Sequence, residues 1–262
     1  MMIGDRDLLL FRQGYYNLLV SLFWKEPAGE LLLHLSDGIS ERIQAAGNLH
    51  PLLAEGWEEI RRFFTETPPE DLAETAVDEY TRLFIGPYDS TVNPYESFYF
   101  TGRMWDRPLA DLRTFLKTIG IEKQDGYSEP EDFIAFELEV MRWLIGKQES
   151  AAHLQESAAH LEEEKRWLQH QADFLKQHLL VWAPTCAQDI EKAKGAHFYR
   201  GVATILHGFL EVERNFFLEW GLDKMVSLEE ARRRYGAIPM WKGPTFDFPG
   251  EEPKEPLPSG KK

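Results

Sequence analysis

The chain has 262 residues, is 43% hydrophobic and 13% aromatic, and carries a formal net charge of −15. This length suits one large or two small domains, and the apolar content is ample for a packed core, which argues against wholesale disorder. The acidic balance disfavours binding to nucleic-acid phosphates or anionic lipid and favours basic partners, although the same acidity also serves solubility alone.

The cysteine count and the apolar runs bear on compartment. Cys186 is the only cysteine, which excludes an internal disulfide and a cysteine-based zinc cluster and fits a reducing compartment. The N-terminal stretch MMIGDRDLLLF has early acidic residues and no long apolar core, so we do not expect a secretory signal. The sequence contains no run of about 18 apolar residues, so we predict no membrane span. We therefore expect a cytoplasmic protein.

The first third of the chain has the apolar spacing of helices. A three- and four-residue recurrence of large apolar residues predicts a helix over 5–25, which Pro27 ends. Residues 29–64 predict two or three shorter helices, with breaks near Gly38 and Gly47.

A capping-box pattern with proline follows at Thr67-Pro-Pro-Glu70 and predicts the start of the next helix. Apolar residues from Leu72 to Phe84 share one face of that helix. Gly86 in a left-handed conformation would end it, and Pro87 forbids its continuation.

The next stretch, GPYDSTVNPYESFYF at 86–100, combines two prolines with many aromatic residues. We expect a loop, and two interpretations of its aromatic side chains stay open. They fold back onto the core, or they line a peptide groove whose path Pro87 and Pro94 fix.

A further helix is predicted over about 104–119, stopped by Gly120. Ser128-Glu-Pro-Glu131 is a second capping box and predicts a long helix from about 129. More than half of the circumference of this helix is apolar, so we expect it to be central.

Three carboxylates of this predicted long helix are candidates for a role. Glu129 and Asp132 fall in its first turn, where they complement the helix dipole or flank a bidentate site for an arginine pair. Asp132 falls on the polar side. Glu137 falls among apolar residues and needs a partner, or its pKa rises. Two interpretations of Glu137 remain: a structural acid bonded to a backbone N–H or an arginine, or a contact to a ligand cation.

Residues 149–162 repeat one heptad, ESAAHLQ then ESAAHLE, which lengthens a helix or a connection between helices. Two amphipathic helices are predicted over 166–182 and 195–220, separated by Pro184 and Gly195. Ser227-Leu-Glu-Glu230 caps one last short helix.

The chain changes character after Gly236. Residues 237–262 hold six prolines and little periodicity. We expect 1–236 to form a helical domain and 237–262 an irregular Pro-rich tail, of which 238–249 docks in extended form and 251–262 is loose. Because no segment shows sustained period-2 alternation, we predict an all-α fold: a single bundle of about nine to eleven helices.

Motifs for catalysis or metal binding are missing from the sequence. There is no HExxH, no Gly-rich phosphate loop and no GxSxG. His153 and His160 share a helix face but lie about 10 Å apart along the axis, too far to chelate one ion. We expect no enzyme, no cofactor and no metal. The remaining enzymatic interpretation is a helical hydrolase or GTP-binding enzyme that uses Asp132 and Glu137.

Five stretches in order carry a family resemblance: YTRLFIGP, NPYESFY, EPEDFIAFELEVM, FLKQHLLVWAP and FYRGVATILHGFLEVE. From about residue 10 to about residue 220 the chain resembles the TorD/DmsD family of cytoplasmic redox-enzyme maturation chaperones, related to the NarJ group. The family's fold is an all-helical bundle, in line with the periodicity.

The resemblance implies a function without catalysis. Members of the family bind the twin-arginine signal peptide of a molybdenum-containing oxidoreductase and hold the apo enzyme back from export until its cofactor is loaded. The client here is expected to be an exported subunit or, alternatively, a nitrate-reductase-type, membrane-anchored subunit. No nucleic acid and no membrane insertion are expected, and the chaperone acts as a monomer or a homodimer.

The resemblance also implies which residues face the signal peptide. The positions that match the family's pattern, together with Phe133, are Leu83, Phe84, Gly86, Pro87, Pro94, Tyr95, Glu96, Tyr99, Glu129, Pro130 and Asp132. The family usually has histidine where this chain has Phe133, which puts a nucleotide-binding or pH-sensitive role in doubt. An aromatic groove with an acidic rim would be the complement of a peptide that is basic and then apolar.

Overall fold

The protein, as a computed structural model, is described for residues 6–86, 91–124, 126–152 and 158–236, and these residues are predominantly helical. The helices are α1 (Arg6–Phe23), α2 (Gly29–Ser36), α3 (Ile39–Gly47), α4 (Pro51–Glu66), α5 (Leu72–Tyr80), α6 (Glu96–Thr101), α7 (Arg107–Thr118), α8 (Ile134–Ala152), α9 (Ala158–Phe174), α10 (Leu180–Lys192), α11 (Phe198–Phe216) and α12 (Leu228–Tyr235). A π-helical turn, Leu175–Leu179, joins α9 to α10. If α9, the π-helical turn and α10 are counted as one continuous helix, the described ranges hold 11 helices and no strand. This confirms the predicted all-α bundle.

The centre of the bundle is the crossing of α4 and α11. A Cβ added to Gly56 would lie 2.6 Å from Cγ1 of Ile205, and one added to Gly201 would lie 2.7 Å from the carbonyl oxygen of Gly56. Since any larger side chain would force the two backbones apart, glycine at both positions is what lets the helices approach this closely.

A buried polar cluster ties α1, α9 and α11 together. The Arg12 guanidinium donates to both carboxylate oxygens of Glu213, at 2.5 and 2.8 Å, and to Oε1 of Gln171 at 2.8 Å. Tyr16 donates to the same Glu213 carboxylate at 2.8 Å. Arg12 and Glu213 are almost fully buried, so each offsets the desolvation of the other.

Two predicted helix starts are wrong by several residues. Thr67 is the C-cap of α4, and the helix that follows begins at Leu72. Similarly, α8 begins at Ile134 rather than near 129. In both cases a turn that starts at the proline precedes the helix: the Asp71 N–H donates to the Pro68 carbonyl oxygen at 3.0 Å, and the Phe133 N–H donates to that of Pro130 at 3.2 Å.

The predicted break at Pro184 is also wrong. Pro184 lies inside α10, which continues to Lys192. The π-helical turn Leu175–Leu179 ends directly before Leu180, whose carbonyl oxygen would accept from residue 184 in a regular helix and cannot accept from proline. Such widened turns are a usual way for a helix to absorb an irregularity. The predicted cap of the last helix is confirmed, because the Ser227 hydroxyl accepts from the backbone N–H of Glu230.

The aromatic loop predicted over 86–100 is partly helical, since Glu96–Thr101 forms α6. Residues 87–90, part of the heptad repeat and the Pro-rich segment from 237 onward lie outside the described residues, so the predictions for them stay predictions. Among the described helices none is both long and apolar enough to cross a membrane.

Candidate functional site

Two short segments, 94–97 before and within α6 and 130–134 before α8, are locked together by hydrogen bonds. The N–H of Glu96 donates to the carbonyl oxygen of Asp132, and the N–H of Ile134 donates to that of Pro94, both at 2.9 Å. The Asp132 carboxylate accepts the N–H of Ser97 at 3.1 Å and also the Ser97 hydroxyl. Asp132 therefore caps the N-terminus of α6 from a neighbouring turn.

This geometry corrects the position predicted for Asp132. The residue is fully buried, whereas the sequence placed it on the polar side of a helix. Burial raises the pKa of Asp132 above its usual range, against the hydrogen bonds from Ser97, which lower it. Its Oδ1 atom has no hydrogen-bond partner among the described residues.

Two further carboxylates lie in the interior beside this cap. Glu96 and Glu137 are both fully buried. Glu96 lies 2.9 Å from Nδ1 of His178, and the indole N–H of Trp182 donates to both oxygens of Glu137, at 3.2 and 3.1 Å. The buried position predicted for Glu137 is confirmed, and its partner is an indole rather than a backbone N–H or an arginine.

The protonation of this cluster is set by its burial. Burial, and after it the charge of Asp132, raises the pKa of Glu96 well above its usual range. Burial, and after it the charge of Glu96, does the same to the pKa of Glu137. Burial lowers the pKa of His178 to about 3. These groups therefore favour their neutral forms at neutral pH.

The aromatic residues of the 86–100 segment fold onto the core. Tyr99 is buried, donates to Asp189 at 2.8 Å and packs on Trp182 with ring centroids 5.3 Å apart. Phe100 stacks on Tyr235 at 5.6 Å. The sequence left open whether these side chains pack onto the core or line a groove. The structure shows that Tyr99 and Phe100 pack onto the core.

The other predicted site residues divide between core and surface. Leu83, Pro94 and Phe133 are buried. Phe84 packs between Tyr80 and Tyr199, at centroid distances of 5.1 and 5.2 Å. Gly86 has a positive φ of 44° and follows the π-helical turn Thr81–Ile85. Pro87 lies outside the described residues.

Tyr95 and Glu129 are the predicted residues that reach the surface together. Both are partly exposed, and the Tyr95 hydroxyl donates to Glu129 at 2.8 Å. The ring of Tyr95 packs on Phe133 at 5.3 Å, at the isolated β-bridge between the two locked segments. Tyr95 and Glu129 thus mark where the locked segments meet solvent.

Beside them lies a cavity of about 360 Å³, the aromatic groove, walled by Trp24, Tyr127, Phe136 and Trp143. Trp24 stacks on Tyr127 at 4.6 Å, and Tyr127 packs on Phe136 at 5.7 Å. The Tyr127 hydroxyl is buried and has no hydrogen-bond partner among the described residues.

Carboxylates surround this groove. Glu122 and Glu139 line it, together with Lys123. Glu129 lies next to this lining, because the ammonium group of Lys123 donates to its backbone carbonyl oxygen at 3.2 Å. The surface therefore combines an apolar aromatic floor with several acidic groups, as suits a basic and apolar ligand.

The sequence did not assign Trp24, Tyr127 or Trp143 to a site. Trp24 follows the last turn of α1, Tyr127 lies in the connection before α8, and Trp143 is on α8 itself, so only the tertiary fold brings them together. A sequence signal exists for α8 alone: its apolar surface is wider than one helix contact needs, and Phe136 and Trp143 lie at the side of the main stripe.

Comparison with known proteins bears on this site. The family model described as nitrate reductase delta subunit matches residues 47–188. The chain is 29% identical over 151 residues to "Chaperone protein TorD" of Photobacterium profundum, covering 57% of this chain and 67% of that protein.

Two further relatives are similar. The identity is 28% over 138 residues to "Chaperone protein TorD" of Vibrio cholerae, with 52% of this chain and 60% of the relative covered. It is 25% over 163 residues to "Probable Tat proofreading chaperone DmsD" of Haemophilus influenzae, with 62% and 68% covered. The matches thus span about two thirds or less of the relatives' lengths. Because the family model covers more than half of the chain and the relatives agree with it, the chain belongs to the TorD/DmsD family, within the nitrate reductase delta subunit group.

Proposed function

We propose that the chain is a cytoplasmic chaperone that binds the twin-arginine signal peptide, or the N-terminus, of a molybdenum-containing oxidoreductase subunit and assists its maturation before export. The observation that carries this proposal is the aromatic groove with the carboxylates of Glu122 and Glu139 in its lining. The family membership supports the same conclusion, and one relative bears the name of a Tat proofreading chaperone.

The chemistry of such a peptide matches the two parts of the groove. Its arginines pair with carboxylates, because guanidinium and carboxylate form strong, bidentate hydrogen bonds. Its apolar segment packs on Trp24, Tyr127 and Phe136, which offer flat apolar surface. The net charge of −15 adds long-range attraction for a basic peptide.

The residues that the resemblance singled out have two roles in this proposal. Glu129 is next to the groove lining through Lys123, and Tyr95 is hydrogen-bonded to Glu129, so in this proposal both residues contact the peptide directly. Asp132 and Phe133 act through them, because they hold the turn on which Glu129 lies against the segment that carries Tyr95.

A second candidate client is a nitrate-reductase-type subunit whose N-terminus is retained. The observation that favours it is the description of the matching family model, nitrate reductase delta subunit. The N-terminus of such a client needs no arginine pair. Binding of peptides with and without the pair therefore distinguishes between the two candidate clients.

The enzymatic alternative has little support. Asp132 and Glu137, the carboxylates that a hydrolase would use, are fully buried and hydrogen-bonded to Ser97 and Trp182. Among the described residues there is no group of three or more His, Cys, Asp or Glu that could hold a metal ion. A nucleotide-turnover assay on the purified protein is expected to show no activity.

Titration calorimetry with synthetic peptides tests the proposal. A peptide with two consecutive arginines before an apolar segment is expected to bind with a Kd between micromolar and nanomolar, roughly −8 to −12 kcal/mol. A matched peptide with two glutamines should bind more weakly, and the affinity for the arginine peptide should fall, without vanishing, as salt rises. Equal affinity for both peptides would favour the client without the pair. Absence of binding to either would contradict the proposal.

A further inference from the structure

A second groove lies between α1, α2 and α3, with Trp57 of α4 in its lining. We call it the α1–α3 groove. Its volume is about 460 Å³, larger than that of the aromatic groove. The residues that line it are Leu10, Phe11, Gly14, Tyr15, Asn17, Leu18, Ser21, Leu31, His34, Leu35, Arg42, Ala45, Ala46, Leu49 and Trp57.

The chemistry of this groove differs from that of the chain as a whole. The sequence has 44 acidic residues, yet none of the described residues in the groove lining is Asp or Glu. Two leucines at its edge, Leu10 and Leu49, leave half of their side chains exposed, at 50% and 49%. An apolar and locally non-acidic surface of this kind is typical of a protein-binding face.

Gly14 gives the first sign of what the groove accepts. It lies in the middle of α1, where glycine destabilises a helix relative to alanine. A Cβ at Gly14 would meet no atom within 4 Å, in contrast to Gly56, Gly201 and Gly208, whose missing side chains are required by the contact between α4 and α11. Nothing within the described chain therefore requires glycine at 14, whereas an incoming backbone that packs closely on α1 would.

Arg42 gives the second, independent sign. Its guanidinium lies over the ring of Trp57, 5.5 Å from the centroid, and its Nη2 reaches the carbonyl oxygen of His34 only at 3.4 Å. Its Nε is buried with no hydrogen-bond partner, and Arg42 forms no ion pair with a carboxylate of the described residues. The positive charge of Arg42 therefore has no counter-charge among the described residues, and a guanidinium group pairs strongly with a carboxylate.

We propose that the α1–α3 groove binds an amphipathic helix of a partner protein, whose apolar side chains lie between Leu10 and Leu49 and whose single central carboxylate pairs with Arg42. Helices bind such grooves through apolar residues at three- and four-residue spacing, and Gly14 lets the helix backbone come close. The charge requirement is opposite to that of the aromatic groove, which takes arginines. The site is therefore separate from the proposed signal-peptide site and does not depend on it.

The test uses the full chain and a fluorescein-labelled helical peptide of about 18 residues, with leucines at three- and four-residue spacing and one glutamate at the centre of the leucine face. A matched peptide has glutamine in place of that glutamate. By fluorescence anisotropy the parent protein is expected to bind the glutamate peptide roughly tenfold more tightly than the glutamine peptide. The variant Arg42→Gln should bind both peptides equally.

Two glycine variants separate the groove from general effects on the helices. Gly14→Leu fills the groove and should lose binding of both leucine peptides. Gly146→Leu is the matched control, because Gly146 is a second helical glycine with no atom within 4 Å of a Cβ and does not line the groove. Both variants should keep the parent's melting temperature within a few degrees and its affinity for the twin-arginine peptide.

Several results would overturn the proposal. They are a parent protein that does not bind the glutamate peptide, equal binding of the glutamate and glutamine peptides by the parent, and a Gly14→Leu variant that binds as the parent does. Loss of twin-arginine peptide binding in Gly14→Leu would show that the two grooves are one site. A concentration-dependent dimer of the parent that Gly14→Leu dissociates would assign the groove to a second copy of the chain instead.

Discussion

Asp132 accepts both the backbone N–H and the hydroxyl of Ser97, and thereby caps α6 from the turn that precedes α8. The two residues are 35 positions apart, and each belongs to one of the segments that carry the family resemblance. The contact explains why the two segments occur together: one supplies the cap and the other the helix that needs it.

We predict that Asp132→Ala destabilises the fold by about 1.5–3 kcal/mol, because it removes charge-assisted hydrogen bonds and leaves the buried Ser97 N–H without a partner. At the position predicted from the sequence, on the polar side of a helix, Asp132 would contribute only its interaction with the helix dipole; its burial makes a larger loss the expected result. Urea denaturation gives the free energy of unfolding. Glu129→Ala, on the same turn but partly exposed, is the matched control and should cost less than about 1 kcal/mol.

A second prediction concerns Glu137 and the loss of stability as pH rises. Burial and the charge of Glu96 raise the pKa of Glu137 above the ordinary value of 4.5, so the folded protein keeps a proton that the unfolded chain releases. The unfolded state therefore binds fewer protons than the folded state above pH 4.5, and stability falls as pH rises from there. The variant Glu137→Gln does not titrate at this position, so it should not lose stability in this way. Its amide oxygen can still accept the hydrogen bond from the indole N–H of Trp182.

The measurement is the melting temperature of parent and Glu137→Gln between pH 5 and pH 8.5. The variant should gain on the parent as pH rises. Glu139→Gln, on the exposed side of α8 and paired with Arg142, is the control and should follow the parent. A constant difference between Glu137→Gln and the parent at every pH would show that Glu137 is charged in the folded protein.

His178 is expected to determine how the free energy of unfolding falls at acidic pH, the acidic limb of the stability curve. Burial lowers its pKa from 6.5 to about 3, so between these values the unfolded chain binds a proton that the folded protein does not. Stability then rises with pH in this window and is lost as pH falls from about 6.5 toward 3. His178→Gln should flatten the dependence of the unfolding free energy on pH in the window.

The control for this variant is His207→Gln, because His207 is partly exposed and pairs with Glu191 across 3.5 Å. It should leave the acidic limb of the parent unchanged. If His178→Gln loses stability between pH 6.5 and 4 as steeply as the parent does, the neutral state of buried His178 is not what shapes the limb.

The sequence predicted those features of the molecule that periodicity determines. The wide apolar surface of α8 and the place of Glu137 within it follow from a spacing of 3.6 residues, and both are observed. The error at Asp132 came from the start of the same helix. Residues 130–133 form a turn, closed by the Phe133 N–H to the Pro130 carbonyl oxygen at 3.2 Å, and the helix begins only at Ile134. Asp132 therefore lies in this turn as a buried cap of α6, rather than in an exposed first helical turn.

Long-range contacts could not be predicted in this way. Arg12 and Glu213 pair across 201 positions, and no local pattern marks them as partners. The aromatic groove has the same property, because Trp24, Tyr127 and Trp143 come from three different parts of the chain. The resemblance identified the neighbouring Tyr95 and Glu129, but the walls of the groove became visible only in the fold.

The last prediction places peptide binding in the aromatic groove. Trp24 is 39% exposed and stacks on Tyr127, so Trp24→Ala removes a large ligand-facing surface at moderate cost to the core. We expect it to weaken binding of the twin-arginine peptide by about 1–3 kcal/mol, roughly 5- to 150-fold, with a loss of stability below about 2 kcal/mol. Calorimetric titration measures the first quantity and urea denaturation the second. Trp105→Ala is the matched control, because Trp105 is 73% exposed and does not line the groove, and it should bind the peptide as the parent does. If Trp24→Ala binds normally while Trp105→Ala does not, the peptide site lies at the connection between α6 and α7 instead, and the assignment of the aromatic groove is wrong.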